Sequence, residues 1–265
     1  MKKSCSMVSN EFNFTCNETE IMSAHVLLNH QQHLDLHIID NHSEALGDGL
    51  NHAMVFPIEF RDVQSYYPIF FKKHSDTGQF YAASLFGFEN NENLFLKDGK
   101  WDAAYLPMMS QNQPFFIGLK EDKEAVDGKA LMVTLDMDSP RISKTEGQAL
   151  FNKDGSPTEF LNKKMSLLER LHQGNEHSAL FNKALVEHEL LESLTLEITL
   201  ADGSKNQLLG LYTIKEKAVQ SLSAETLEKF SKAGFLMPIV MVLASHTCLR
   251  TLIDRKNIKT LNATA

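Results

Sequence analysis

The order of hydrophobic and polar positions divides the chain into a strand-rich first part and a helix-rich second part. Before residue 120, short runs rich in Phe and Tyr alternate with Gly, Pro, Asn and Asp, which is typical of strands and turns. After residue 150, apolar residues recur at helical spacing over longer stretches. The pattern predicts an α+β fold. We expect a largely antiparallel sheet in the N-terminal half, and a helical hairpin, a β-hairpin and terminal helices in the C-terminal half.

Several segments of the first half carry the strand prediction. Residues 34–38 alternate apolar and polar side chains, as in a strand with one buried face. Further strands are expected at 51–56, 66–71, 82–88, 93–96, 115–119 and 131–135. The Asn-rich turn at 89–92 predicts that its two flanking strands form a hairpin, and Asp98-Gly99 predicts a second turn directly before Trp101. Residues 57–63 are expected to form a helical turn.

The second half opens with a helix signal. Ser156 is expected to be the N-cap residue, followed by Pro157 at the first helical position and Glu159 three residues after the cap. Gly174 is expected to end this helix, and a second helix over 176–194 would complete a helical hairpin.

The rest of the chain predicts a β-hairpin followed by short helices. Apolar residues alternate with polar ones over 195–200, and Asp202-Gly203 then turns the chain into a strand over 207–214. Ser223 is expected to cap a short helix, Gly234 to end it, and Pro238 to lie in the first turn of the final helix.

Composition and charge remove several classes of partner. The formal net charge of −8 disfavours nucleic acid and anionic membrane surfaces, which require concentrated positive charge. The basic pairs Lys72-Lys73 and Lys163-Lys164 are short, and we interpret them as solvated faces. The three scattered cysteines form neither a disulfide framework nor a zinc motif, which favours a reducing, cytoplasmic location. The apolar run 235–244 is half the ~20 residues a bilayer requires, so no transmembrane segment is predicted.

The sequence contains no recognisable catalytic or cofactor motif, so no catalytic residue, cofactor or metal is predicted. The sharpest local cluster is His33, Asp35 and His37, which would share one face of the expected strand. They would extend over roughly 13 Å, too far for all three to bind one metal ion. We therefore interpret them as polar residues on the solvent face, with a site made of two of them and a remote ligand as the alternative.

Three other residues each allow two interpretations. Glu59 lies between Ile58 and Phe60, where a buried acid could shuttle protons or, more often, cap a helix. Trp101 and Tyr105 offer flat surfaces that could line a ligand groove or belong to the core.

Many short motifs in a fixed order give the chain a family resemblance. It is similar to the SapC family of bacterial proteins from about residue 25 to 255. The residues that carry the resemblance are His33, Val55-Phe56-Pro57-Ile58-Glu59-Phe60, Tyr67-Pro68-Ile69-Phe70-Phe71, Glu92-Asn93-Leu94-Phe95-Leu96, Trp101, Tyr105-Leu106-Pro107, Pro114-Phe115, Asp138-Ser139-Pro140-Arg141, Gly147-Gln148-Ala149-Leu150-Phe151, Asp154-Gly155, Gly210-Leu211-Tyr212-Thr213-Ile214 and Gly234-Phe235-Leu236.

The resemblance implies a role but no chemical step. The family is named for an association with export of a bacterial surface-array protein, and members also occur beside genes for outer-membrane receptors and tryptophan-halogenase-like proteins. It implies a SapC-like domain over 25–255, for which the residues suggest two lobes, 25–150 and 151–255. A flexible segment would precede this domain at 1–24 and a tail would follow at 256–265.

These observations favour a cytoplasmic accessory or binding protein that recognises an unknown partner protein or small-molecule ligand. One alternative is an uncharacterised enzyme, with or without a metal ion, that has His33, Glu59 and Asn93 in its site. A third hypothesis is a structural subunit that forms a homo-oligomer through its apolar C-terminal helix. The candidate ligand-binding residues are His33, Glu59, Tyr67, Asn93, Trp101 and Tyr105.

Overall fold

The computed structural model describes residues 25–121 and 129–264, and they form a mixed α+β structure as predicted. The strands are β1 His25–Leu27, β2 His37–Ile38, β3 His52–Met54, β4 Ile69–Lys73, β5 Phe80–Leu85, β6 Leu96–Lys97, β7 Lys100–Trp101, β8 Phe115–Glu121, β9 Lys129–Asp136, β10 Ile142–Ser143, β11 Gln148–Ala149, β12 Leu191–Thr199 and β13 Lys205–Ile214. The α-helices are α1 His30–His33, α2 Phe60–Val63, α3 Met108–Gln111, α4 Glu159–Glu187, α5 Glu216–Gln220, α6 Ala224–Lys232, α7 Leu236–Ser245 and α8 Cys248–Thr264.

Contacts within the chain separate it into two compact units, each built from two segments. Of the described residues, the first unit comprises 25–40, 112–121 and 129–170, and the second comprises 41–111 and 171–264. The domain boundaries expected from the sequence stay predictions. The expected flexible segment 1–24 lies outside the described residues.

The first unit contains a sheet in the order β1-β9-β8 and a smaller one in the order β10-β2-β11. The β8–β9 pair is antiparallel and places Phe115 opposite Leu135, both fully buried. The two strands expected at 115–119 and 131–135 are therefore confirmed. The apolar runs predicted both strands correctly because the two strands follow one another in the chain and pair with each other.

The second unit is built on an antiparallel five-stranded sheet in the order β12-β13-β4-β5-β3. β4 lies at its centre, and its residues Ile69 to Phe71 are completely buried. The hairpin predicted from strands 82–88 and 93–96 is wrong. Both edges of β5 are occupied by β4 and β3, so β6 pairs with β7 instead, across the turn at Asp98 and Gly99. These two residues have φ of 51° and 72°, as a tight hairpin turn requires.

α4 is one continuous helix, so the predicted helical hairpin is also wrong. Gly174 does not end the helix; it lies inside α4, close to Ile58 and Phe56. A Cβ atom at this position would lie 3.0 Å from the Ile58 side chain and 3.3 Å from that of Phe56. The predicted Ser156 cap is wrong by two residues: the Thr158 hydroxyl accepts from the Leu161 N–H, while Ser156 bonds to Asp154.

The second β-hairpin, the Ser223 cap and the break at Gly234 are confirmed, whereas the predicted final helix is wrong in that it consists of two helices, α7 and α8. β12 and β13 pair antiparallel across the turn that contains Gly203, whose φ is 83°. The Ser223 hydroxyl accepts from the N–H of Thr226 and caps α6, Gly234 with φ of 75° follows that helix, and Pro238 lies in the first turn of α7.

The C-terminal helices contain a long apolar stretch. Among the described residues, the helical stretch Leu236–Asn262 is long and apolar enough to cross a membrane. Of its apolar 18-residue part, 39% is buried inside the protein. A core helix passes the same test, so this is weak evidence for a span. α7 buries Ile239, Met241 and Val242 but exposes Met237 and Val240.

Candidate functional site

Most of the predicted site residues lie in the second unit, and Glu59 is the most deeply placed. Its carboxylate is fully buried, just before α2. Oε1 accepts from the Phe56 N–H at 3.2 Å, and the Glu59 N–H donates back to the Phe56 carbonyl at 2.9 Å. Glu59 therefore caps the helical turn, which is the structural one of its two interpretations.

The second oxygen of Glu59 binds a distant part of the chain. Oε2 accepts from the Tyr105 hydroxyl at 2.8 Å and from the Met108 N–H at 2.9 Å. Three donors converge on one buried carboxylate, and hydrogen bonds of this kind stabilise its negative charge. The Glu59 side chain therefore links the loop before α3 to the turn before α2.

Tyr67 extends this network to Trp101. The Tyr67 side chain is fully buried, and its hydroxyl donates to the Tyr105 carbonyl and accepts from Trp101 Nε1 at 2.6 Å. Burial raises the pKa of Tyr67 well above its usual value, so the hydroxyl stays protonated and can donate. Glu59, Tyr105, Tyr67 and Trp101 form one connected chain of hydrogen bonds.

The Trp101 ring is fixed by aromatic neighbours as well as by its N–H. It stacks on Phe95 at 6.2 Å with an angle of 10° between the rings, and it meets Phe86 edge-on at 5.0 Å. The Arg255 guanidinium lies over Phe95 at 4.5 Å and pairs with Asp102 at 2.7 Å. Trp101 itself remains half-buried, so part of a rigidly held indole reaches the surface.

An imidazole borders the indole. The His42 ring meets Trp101 edge-on at 5.9 Å, and His42 Nδ1 lies 3.3 Å from Asp48 Oδ2. Asp48 also accepts from the Ser43 N–H at 2.9 Å, which orients its carboxylate. We name His42, Trp101, Asp102 and Arg255 the Trp101 surface.

Asn93 lies beneath this surface as a structural link. Its Nδ2 donates to the Asp48 carbonyl at 2.8 Å, and its Oδ1 accepts from the Phe95 N–H at 2.9 Å. The side chain is buried and connects the residues that hold His42 and Trp101. Four predicted residues thus meet in one hydrogen-bond network, namely Glu59, Tyr67, Trp101 and Tyr105, whereas Asn93 bonds to the backbone of Asp48 and Phe95.

His33 belongs to the first unit, where the predicted strand is wrong. It is the last residue of α1, Asp35 lies in the following turn, and only His37 lies in a strand. The Asn29 N-cap starts a helical turn, so these three side chains do not share a strand face. His33 is buried, and its Nδ1 lies 3.1 Å from the Asn29 nitrogen and 3.0 Å from the Asn29 carbonyl oxygen.

No group of three or more metal-ligating His, Cys, Asp or Glu side chains occurs within residues 25–121 and 129–264. The sequence missed His42, Asp48, Asp102 and Arg255 as members of the Trp101 surface. Of these four residues, only His42 stood out in the sequence, as one of several histidines close together in the chain. Asp102 and Arg255 are separated by 153 positions, and no local pattern relates them.

Comparison with known proteins gives one match. The family model described as SapC matches residues 28–252, which is most of the chain. Neither the search of curated proteins nor the search of solved structures found a match.

Proposed function

Because the chain belongs to the SapC family, we propose that it is a cytoplasmic accessory protein that binds a partner polypeptide through the Trp101 surface. The partner would belong to cell-surface protein export or outer-membrane uptake in a bacterium, as the family association implies. The role is recognition and requires no chemical step.

One observation carries this proposal: Trp101 is half-buried yet held in place by Tyr67, Phe95 and Phe86. An aromatic side chain that is already immobile loses little conformational entropy when a partner covers it. Trp and Arg are also the residues that most often dominate binding energy at protein interfaces. Trp101 and Arg255 supply both types at one surface, with Asp102 fixing the guanidinium.

The contacts of the other predicted residues support the same role. Glu59 already accepts three hydrogen bonds, and Asn93 joins two backbone segments. A catalytic acid or metal ligand at Glu59 would have to give up bonds that hold the local fold together. We therefore assign Glu59, Tyr67 and Asn93 the task of supporting the surface. The metal-dependent enzyme with His33 and Glu59 remains the alternative that the experiment must distinguish.

The experiment uses the fact that Trp101 is the only tryptophan of the chain. Affinity capture from the native host would compare the unchanged protein with Trp101→Phe, Arg255→Gln and Leu209→Ala. Leu209 is 66% exposed on β13 and serves as the matched surface control. We expect a stoichiometric partner that is retained by the Leu209→Ala variant and lost from the other two. Titration with the purified partner should then shift the tryptophan emission.

Two results would contradict the proposal. The first is a partner that binds the Trp101→Phe and Arg255→Gln variants as tightly as the unchanged protein. The second is a stoichiometric metal ion in the gently purified protein that disappears when Glu59 or His33 is replaced, which would favour the enzyme.

A further inference from the structure

The second unit carries a different polar cluster on its five-stranded sheet. Lys72 of β4 lies directly opposite Tyr81 of β5. Directly opposite residues of an antiparallel pair project from the same face, with Cβ atoms about 5 Å apart. Both side chains are half-buried. The Lys72 ammonium and the Tyr81 hydroxyl thus occupy one partly covered face.

The register of β3 adds His52 to this face. Met54 of β3 and Phe70 of β4 both lie opposite Ala83 of β5. Because side chains alternate along a strand, His52 and Lys72 share the face of Met54 and Phe70. Lys72 Nζ lies 3.2 Å from His52 Nε2. Met54 adds a half-buried apolar side chain to this face, whereas Phe70 is fully buried.

His52 gives Lys72 a hydrogen-bond acceptor but no negative charge. The His52 Nδ1 lies 2.7 Å from the Asn51 side-chain oxygen, which can only accept, so Nδ1 carries the proton and Nε2 is free to accept from Lys72. Burial, with the Lys72 charge as a second cause, lowers the pKa of His52 to about 4. The imidazole is therefore neutral at physiological pH, and the ammonium charge stays uncompensated.

The other lysines of the chain show that this is unusual here. Among the lysines whose exposure is described, Lys72, Lys164 and Lys256 are the ones that are not fully exposed. Lys164 pairs with Asp40 at 3.4 Å, and Lys256 pairs with two glutamates. Within residues 25–121 and 129–264, Lys72 has no carboxylate within 4.0 Å. Burying a cation without a counter-charge costs free energy, and an anion bound beside Lys72 would offset that cost.

We propose that the Lys72–Tyr81 face binds the carboxylate group of a small organic molecule. The Lys72 ammonium supplies the positive charge, and the Tyr81 hydroxyl, which makes no hydrogen bond within the described residues, donates to the second carboxylate oxygen. One cation beside one neutral donor matches a singly charged anion better than a doubly charged phosphate. The apolar part of the ligand would lie against Met54. This site is separate from the Trp101 surface and does not rest on the role proposed for it.

Lys73 provides a control within the same protein. It is the next residue on β4, so it projects from the opposite face. Its ammonium is exposed and lies over the rings of Phe80 and Tyr212 at 4.9 and 5.3 Å. A ligand that recognises lysine in general would affect Lys73 as much as Lys72.

The test is a titration of protein labelled with carbon-13 at the lysine ε position, observed by NMR. The probes are benzoate, octanoate and inorganic phosphate, each added up to about 20 mM. The Lys72 and Lys73 signals are assigned from the Lys72→Met and Lys73→Met variants. We expect benzoate or octanoate to shift the Lys72 signal with a Kd of about 1 mM or tighter, leaving the Lys73 signal in place. Tyr81→Phe should weaken binding about 5-fold through loss of one charge-assisted hydrogen bond.

Three outcomes would overturn the proposal. The first is no saturable shift of the Lys72 signal with any probe, in a protein whose circular dichroism shows it to be folded. The second is saturation by phosphate alone, because the site would then recognise a phosphate and not a carboxylate. The third is an equal shift of the Lys72 and Lys73 signals, which would show unspecific binding to lysine.

Discussion

Two polar clusters of the second unit differ in how their charged and hydrogen-bonding groups are satisfied. Around Glu59, Tyr67 and Tyr105, donors and acceptors bond to one another, and the buried carboxylate accepts three hydrogen bonds. Around Lys72, a partly buried ammonium meets only a neutral imidazole. The first arrangement stabilises the fold and presents Trp101. The second leaves a charge without a partner, which is how a ligand site differs from a structural network.

Among the variants that test this comparison, the largest loss of stability is expected at Glu59. Replacing it by Ala leaves three buried donors without an acceptor, so we expect the free energy of unfolding to fall by about 4 kcal/mol. Glu59→Gln, which keeps one acceptor oxygen, should lose about half as much. Urea unfolding measures both, with Leu209→Ala as the control expected to change little. A loss under about 1 kcal/mol for Glu59→Ala would show that the network does not hold the fold.

Two lysine replacements test the contrast in charge directly. Lys256→Met removes the partner of the buried Glu92 carboxylate, 2.7 Å away, and should cost about 3 kcal/mol of stability. Lys72→Met removes an uncompensated charge, so the unliganded protein should change by less than about 0.5 kcal/mol or become more stable. The same urea experiment compares the two variants. Equal destabilisation by both would mean that Lys72 is paired within the protein.

The pH dependence of stability should report the neutral state of His52. Unfolded His52 binds a proton near pH 6.5, but folded His52 does so only near pH 4. Between these values the unfolded state binds more protons, so the free energy of unfolding falls as the pH is lowered from 7 to 4, on the order of 2 kcal/mol. His52→Gln should reduce this slope. Urea unfolding measures this pH dependence. If the free energy of unfolding depends on pH equally in the unchanged protein and in the His52→Gln variant, the folded state does not hold His52 as a buried, neutral imidazole.

A smaller loss of stability than at Glu59, Lys256 or His52 is expected at the hydroxyl that joins the network to its surface. Tyr67→Phe removes the bonds to Trp101 Nε1 and to the Tyr105 carbonyl, which should cost about 1–2 kcal/mol. Because Trp101 is the only tryptophan, its emission should also change as the indole N–H loses its acceptor. Unchanged emission in a folded variant would show that Tyr67 does not fix the indole.

Local patterns predicted the parts of this protein whose neighbours lie close in sequence. The β12–β13 hairpin, the Asp98-Gly99 turn and the cap at Ser223 each depend on residues a few positions apart, and each prediction is confirmed. The apolar runs of β8 and β9 are also recognisable, since these strands are consecutive in the chain. Such features depend on backbone geometry and on nearest neighbours, which the sequence displays directly.

Other features were settled by residues far apart in the chain. Gly174 looked like the end of a helix, but it lies within α4, where a side chain would be in tight contact with Phe56 and Ile58. The strand expected at 93–96 could not pair with β5, because β3 and β4 already occupy both of its edges. Local propensity ranks conformations of a short segment, and it contains no information about which surface that segment will meet.

The candidate sites show the same difference between what nearby residues reveal and what the folded chain decides. From the sequence alone came the α+β class, the SapC resemblance and the aromatic and polar residues worth examining, because these are properties of composition, order and short-range spacing. Only the tertiary structure decided that Glu59 is bound through Tyr105, 46 positions away, and that Arg255 meets Asp102. It also decided that no carboxylate of the described residues pairs with the half-buried Lys72. Hydrogen bonds, burial and charge compensation depend on distances in space, and those distances are fixed only when the whole chain packs.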